Sequence, residues 1–532
     1  MSTNEPEPPE AAFTNEPIAG NGPETPPGKK PSASLLQIFG YALGEGAVSI
    51  TINGVSNFAM LFYIQVLGLS PAYAGIALSI TVFWDAITDP VMGHLTDATR
   101  SRFGRRLPYV LLGGIALGVS YFLLWVLPGQ FDTAIIIFWA ILLLNLVLRT
   151  MMTVFMVPYT ALGFEMCPDY VDRARLQGVR YFLNQMVNLL FGAFAWVLWF
   201  QNVTQPDGSE LDGTQIYENY ISMAIWASSA ILIMVLICVW TTRRYSIDNR
   251  HDEKKSNSPK AMYLNFAQVF RDKLAWFVFG FFGIAQFAML LVSQVQMFTY
   301  VHYMEFSAGE KTFVHGGTMV AFALGALSLL RLVRWFDKKT VGFIGLTLSM
   351  IGGLMLYVCF TGFNLLEPKT TLDILPGLFP EGFPLGVVVF GLFQWFWWGG
   401  CGIVVPLATS MIADVSEINL RVNGELKDGS YSAMFSFFLK AATSVGLFVT
   451  GILISLSGFD TEAQRQTEAS SITIANMTFL SGPIIVILSM LVLSRYPINR
   501  KYMDEMRRKY PNPEADRIAR QAKLNQPGPE SE

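Results

Sequence analysis

"VFWDAITDPVMGHLTDATRSRFGRR" (residues 82–106) places two acids, Asp85 and Asp89, in chain that otherwise reads as membrane-buried, and closes on Arg100, Arg102, Arg105 and Arg106. Four residues apart on a helix, the acids lie about 40° apart on one face and one turn displaced. If the helix enters the bilayer near Ala72, Asp85 lies about 20 Å down it and Asp89 about 26 Å, at a rise of about 1.5 Å per residue. An ionised carboxylate at such depth costs several kcal/mol unless it is paired or faces water. Two carboxylates side by side also repel unless a cation lies between them. Oxygen-rich side chains around a polar cavity suit Na⁺, Li⁺ or H⁺, with Thr88 and Thr153 adding hydroxyl oxygens. The plainer alternative is a buried acid paired with an arginine merely to fix helix packing.

Working outward, 52% of the 532 residues are hydrophobic and only 14% charged, against about 25% charged in a soluble protein of ordinary composition. Several apolar runs reach the roughly 20 residues that cross a bilayer as a helix. The expected fold class is therefore all-α and polytopic. Twelve spans are predicted, at 37–67, 72–97, 107–128, 133–163, 178–200 and 218–241, then 274–300, 313–335, 340–361, 383–412, 430–457 and 471–494. This divides the chain into a disordered tail (1–34), an N-terminal six-helix bundle (35–242), a central loop (243–272), a C-terminal six-helix bundle (273–495) and a C-terminal tail (496–532). The four cysteines have neither disulfide-framework nor metal-ligand spacing.

Charge sets the expected orientation, because Lys and Arg collect in cytoplasmic loops. Arginines fill 98–106, Lys and Arg recur through 243–260, and more follow the eighth and twelfth spans, whereas 68–71, 129–132 and 201–217 hold none. Both termini are thus expected in the cytoplasm, in an inner (cytoplasmic) membrane, with a small solute and the lipid bilayer as partners, no nucleic acid, and a monomeric chain. "VPYTALGFE" (157–165) ends the fourth span as "VPLATSMIAD" (405–414) ends the tenth, leaving Glu165 and Asp414 at matching ends. That echo predicts two six-helix repeats of the major facilitator kind, with a solute site near midplane.

Further polar residues fall inside the spans. Glu45, Ser49, Asn53 and Asn57 form a slanting stripe on the first, at four-residue steps. Such a face lines a cavity or, for the asparagines, makes interhelical hydrogen bonds. Arg180 in the fifth span and Lys440 in the eleventh are cations placed to neutralise the acids or bind a solute, and Tyr41, Tyr159, Tyr181 and "FQWFWWGG" (393–400) offer rings to stack on a sugar. Arg149 lies about 24 Å down the fourth span, as deep as the acids. If it pairs with Asp85 or Asp89 it partly replaces a metal ion and moves coupling towards protons.

These residues resemble a known family. "WDAITDPVMGHLTDATRSRFGRRLPYVLLGG", with "FGYALGEG" (39–46), "DRARLQGVRYF" (172–182), "MIADVSE" (411–417) and "FFLKAATS" (437–444), is similar to the glycoside–pentoside–hexuronide cation symporters, the melibiose-permease group. The resemblance spans roughly 35–500. It implies cation-binding roles for Asp85, Asp89 and Thr153, pocket roles for Arg180 and Lys440, and a substrate contact at Ser436. It also implies a gating motif in Gly93-x-Leu95-x-Asp97 with Gly104, Arg105 and Arg106. Departures fall on the sugar pocket: Gly46, Met156 and Thr160 stand where the family's permease has two acids and a tryptophan, so melibiose itself is not expected.

The expected function is cation-coupled symport of a sugar or glycoside, driven by Na⁺ or H⁺ with no further cofactor. The alternative is a related carrier for a lipid-like or amphipathic solute. No His-Glu-x-x-His, Gly-x-Ser-x-Gly or Walker A pattern occurs, which argues against an intramembrane enzyme and against ATP-driven pumping by this chain alone.

Overall fold

In a computed structural model of the chain, the described residues are 33–248, 267–370 and 384–511, apart from positions 100, 102, 168, 169, 207, 209, 425 and 426. The N-terminal tail, the middle of the central loop and the end of the C-terminal tail lie outside them. Among the described residues, 12 helices are long and apolar enough to cross a membrane. The N-terminal six are α1 (Leu35–Gly54), α2 (Pro71–Ala98), α3 (Leu107–Val126), α4 (Ala134–Met166), α5 (Tyr170–Val187) and α6 (Tyr217–Asp248). The second six are α7 (Lys273–His302), α8 (Ala308–Trp335), α9 (Lys338–Leu356), α10 (Leu385–Asn423), α11 (Asp428–Leu456) and α12 (Glu468–Ser494). π turns prolong α1 (Val55–Ala59), α5 (Asn188–Ala193) and α9 (Tyr357–Gly362). A short hairpin, β1 (Val203–Thr204) against β2 (Glu210–Leu211), lies between α5 and α6. Within the segment read as a C-terminal tail, Arg500–Lys509 forms a thirteenth helix, α13, whose Arg507 binds Glu417 of α10 through two contacts of 2.9 Å.

The start signals are local. Ser34 caps α1 and Ser307 caps α8, each with a reciprocal Gln37 or Glu310 three residues on. Pro71 and Pro108 sit in the first turn of α2 and α3, where the missing N–H costs nothing. Pro158 of α4 and Pro406 of α10 lie inside their helices at matching places, so the Val-Pro echo is structural as well as sequential.

Packing repeats between the halves. In the first, α1 packs on α5 and α6, α3 on α4 and α6, and α2 on α4; in the second, α7 packs on α11 and α12, α9 on α10 and α12, and α8 on α10. The halves meet through α2 with α11 and through the end of the fifth span, the π turn Asn188–Ala193 and the helical segment Phe194–Trp199, with α8, which are also equivalent pairs. Small residues permit this in lipid, where close backbone approach replaces hydrophobic driving force. A Cβ on Gly451 would stand 2.9 Å from Gly75 Cα, so α2 and α11 touch backbone to backbone. Gly451→Val is therefore expected to hold this end of the molecule apart. The check is Ala74→Cys in a background without the four native cysteines: buried at 0% exposure in the parent, it becomes reactive to a maleimide in the variant. Unchanged reactivity would show that the contact does not govern closure.

The hydrogen bonds described between the halves begin at that same end. His302 lies 2.6 Å from Gln65, Gln215 donates to the Gln464 carbonyl at 3.2 Å, and Thr312 to the Ala193 carbonyl at 3.0 Å. Buried Lys311 pairs with Asp212. Deeper in, Gln294 donates to the Ser56 carbonyl at 2.9 Å and Ser79 meets Ser444 at 2.9 Å. The deepest is Asp89 with Lys440. Outside this closed end, a cavity of about 1050 Å³ is bounded by the loops that carry Asp212, Glu305, Lys369 and Gln464.

Candidate functional site

The acid stretch folds as expected into α2, and α2 and α4 run in parallel with a fixed offset. Asp85 meets Arg149 and Asp89 meets Thr153, each pair 64 positions apart. Arg149 Nη1 donates to Asp85 Oδ2 at 3.0 Å, and Thr153 Oγ1 donates to Asp89 Oδ1 at 2.8 Å. Thr88 lies 3.4 Å from Thr153, and its hydroxyl donates to the Trp84 carbonyl at 3.2 Å. Trp84 in turn donates to Thr150 at 3.0 Å. Lys440 of α11 binds the other oxygen of Asp89. Asp85 is buried at 3% exposure, while the Asp89 side chain keeps 40% accessible, so Asp89 faces the space between the halves.

Each of the acids meets its own side-chain cation, and in one respect the structure departs from the sequence reading. Arg180 does not neutralise them; its Nη2 donates to Glu45 at 2.5 Å and its Nε at 3.1 Å. The guanidinium carbon also stands 5.2 Å from the ring centre of Tyr159 and 6.0 Å from that of Tyr41. Those rings stack at 4.4 Å and hydrogen-bond each other's carbonyl oxygens, at 3.0 and 3.1 Å. Gly44 makes this possible, because a Cβ there would stand 2.5 Å from the Tyr159 ring. Glu45, Arg180 and the buried tyrosines thus form one ion pair braced by cation–π contacts on α1, α4 and α5.

The other predicted residues are placed as follows. Asn53 donates to Asn188 and to the Ser49 carbonyl, and Ser49 donates to Asn188 at 2.5 Å, so the polar stripe of α1 meets α5. Ser436 is exposed, one turn from Lys440 on α11. Asp414 pairs with Lys338 at 2.6 Å, a link inside the second half. Arg105 is half-buried and Arg106 buried beside Gly104, whose φ of 90° is a turn that glycine enters without strain. The side chains of Asp97 and Glu165 lie outside the described residues. Of "FQWFWWGG", Trp397 is buried against Gly482 and Trp398 donates to Gln296 at 3.3 Å; these rings pack the second half. Sequence reasoning missed Asn188, Lys311 and Asp212. Asn184 and Asn188 in an apolar run were a legible signal; nothing marked the other two as partners.

No cluster of three or more His, Cys, Asp or Glu with metal geometry occurs among the described residues. Around the acids, Asp85 Oδ1 is the carboxylate oxygen with no hydrogen-bond partner among them. What remains is a charge-balanced group, two acids with two bases, joined across both halves of a pseudo-symmetric twelve-helix bundle.

Such a bundle, with a polar midplane site shared by its halves, is that of a major facilitator secondary transporter. The sequence pattern of the MFS/sugar transport protein family matches residues 40–500, and the chain belongs to that family, the cation symporters of the glycoside–pentoside–hexuronide type. It is similar to the sodium-dependent lysophosphatidylcholine symporter 1 of Xenopus tropicalis, at 24% identity over 89% of each chain. It is also similar to the isoprimeverose transporter of Lactiplantibacillus pentosus, at 22% identity over 87% of this chain and 88% of that one. Among solved structures, a bacterial homologue of the human lysosomal transporter Spinster superposes with a TM-score of 0.63 at 12% identity, covering 91% of this chain and 100% of that one. The protein is a multi-pass inner-membrane transporter of the symporter kind.

Proposed function

We propose that this symporter couples a monovalent cation, Na⁺ or H⁺, to the movement of a sugar or glycoside by alternating access. The observation that carries the reading is the Asp89–Lys440 pair, which ties an acid of the first half to a base of the second. Anything that changes the charge at Asp89 changes how the halves hold together, which is what coupling requires. Arg180, braced by the buried Tyr41 and Tyr159, supplies with Glu45 and the exposed Ser436 the donors and acceptors that bind hydroxyl-rich solutes. With Lys- and Arg-rich loops inside, both termini are cytoplasmic and the closed end faces outward.

A second reading, an amphipathic solute, is favoured by Met156 on α4, an apolar residue where the family's permease has a sugar-binding acid, and by the lysophosphatidylcholine relative. The test is uptake of a glycoside and uronide panel into proteoliposomes, with sodium and proton gradients applied separately. Gradient-stimulated accumulation of any panel member supports the first reading. No sugar uptake, with lysophospholipid uptake by the same folded protein, replaces it with the second.

A further inference from the structure

We propose that Arg149 is a tethered cation standing in place of a metal ion, so that this transporter neither binds nor needs sodium. The inference rests on the symport reading above, since it decides which ion that site admits. Without Arg149, the group formed by Asp85, Asp89 and Lys440 would carry one net negative charge, the deficit that one monovalent ion fills. Arg149 fills it permanently, because a guanidinium does not give up its proton in a protein. Its Nη1 lies 3.0 Å from Asp85 Oδ2, with 17% of the arginine side chain and 4% of the aspartate side chain accessible.

The placement is built in. The parallel offset of α2 and α4 sets Arg149 opposite Asp85 by the same register that sets Thr153 opposite Asp89. The neighbouring Thr150, held by Trp84 at 3.0 Å, fixes the turn that carries the arginine. Three of the four carboxylate oxygens are engaged as well. Asp85 Oδ2 accepts from Arg149, Asp89 Oδ1 from Thr153 and Asp89 Oδ2 from Lys440. The one carboxylate oxygen with no partner, Asp85 Oδ1, is by itself a poor cage for a hard cation, which takes several oxygen ligands. A sodium ion entering here would also leave the group with a net positive charge inside the membrane, where unpaired charge is costly.

The test uses the full chain in detergent, melted in sodium, lithium and choline chloride at equal ionic strength. Wild type and Arg149→Lys are expected to melt at the same temperature in all three salts. Arg149→Ala leaves Asp85 buried and unpaired, so it is expected to melt early in choline and to gain several degrees in sodium or lithium, as binding to the folded state requires. Adding Asp85→Asn to Arg149→Ala removes the negative charge and is expected to abolish that gain. A sodium-specific rise in wild type overturns the inference, as does a folded Arg149→Ala protein with no response to sodium. If Arg149→Ala folds in no salt, radioactive sodium binding to wild type decides: binding above that of Asp85→Asn/Asp89→Asn overturns it, and none upholds it. Failure of the symport reading looks different. Then neither a sodium nor a proton gradient drives uptake of any solute by wild type, whatever the salt dependence of its melting.

Discussion

Asp89→Asn is expected to reduce gradient-driven accumulation by on the order of 100-fold, the upper range of a coupling energy of about 1–3 kcal/mol. Asparagine keeps the shape of the side chain, and its carbonyl can still accept from Thr153, now 2.8 Å from Asp89 Oδ1. What it lacks is the charge that holds Lys440 of α11. Lys440 would then stand partly buried with no anion, and the first half would no longer report its ion state to the second. The group proposed to bind solute, Glu45 and Arg180 braced by Tyr41 and Tyr159, makes no described contact with Asp89, so solute exchange down its own gradient is expected to persist in the variant. The measurement is the steady-state accumulation ratio in proteoliposomes beside the initial rate of counterflow. An accumulation ratio within about twofold of wild type would show that Asp89 carries no coupling. Equal loss of accumulation and counterflow would make it a structural residue only.

The architecture was legible in the sequence because a bilayer demands about 20 apolar residues per span, and no other constraint on this chain produces twelve such runs. The α2–α4 part of the site was legible too. Asp85 precedes Asp89 by the same four residues that separate Arg149 from Thr153, so one parallel register satisfies both pairs at once. That Arg180 meets Glu45 and not the acids of α2 escaped the sequence for a physical reason. Depth along a helix follows from counting residues, but which faces meet depends on how helices pack around the axis, and α5 packs on α1 rather than on α2. The π turn at Asn188–Ala193 left no pattern either, since an extra residue in one turn breaks the very periodicity by which a helix face is read. Asp212 lay in a loop whose only feature was the lack of Lys and Arg. Its partner Lys311 stood just before the predicted start of the eighth span, so the pair was visible only once the halves had closed on each other.

That pair yields the second large effect. Lys311 is 0% exposed, its amine stands 5.4 Å from the ring centre of Trp196, and Asp212 of the opposite half completes it. Asp212 is held ready by its own turn, since Oδ1 accepts from the Thr214 amide at 2.9 Å and the Thr214 hydroxyl at 2.7 Å. Removing one partner of a buried pair costs about 3–5 kcal/mol, because the other charge is left unpaired in low dielectric. Here that cost falls only on the closed arrangement, for opening this end returns both groups to water. Asp212→Ala is therefore expected to move the balance between closed and open towards open by about 100-fold or more, at about 1.4 kcal/mol per tenfold. Replacing both, with Asp212→Leu and Lys311→Met, removes the stranded charge and is expected to restore closure, so the two changes do not add. Distances between spin labels at Gln201 and Glu468, one on each half at this end, would read the populations directly. If the single and double variants showed the same open fraction, Lys311 and Asp212 would be neighbours without being a lock, and closure would rest on the Gly75–Gly451 contact of α2 and α11 and the remaining hydrogen bonds between the halves.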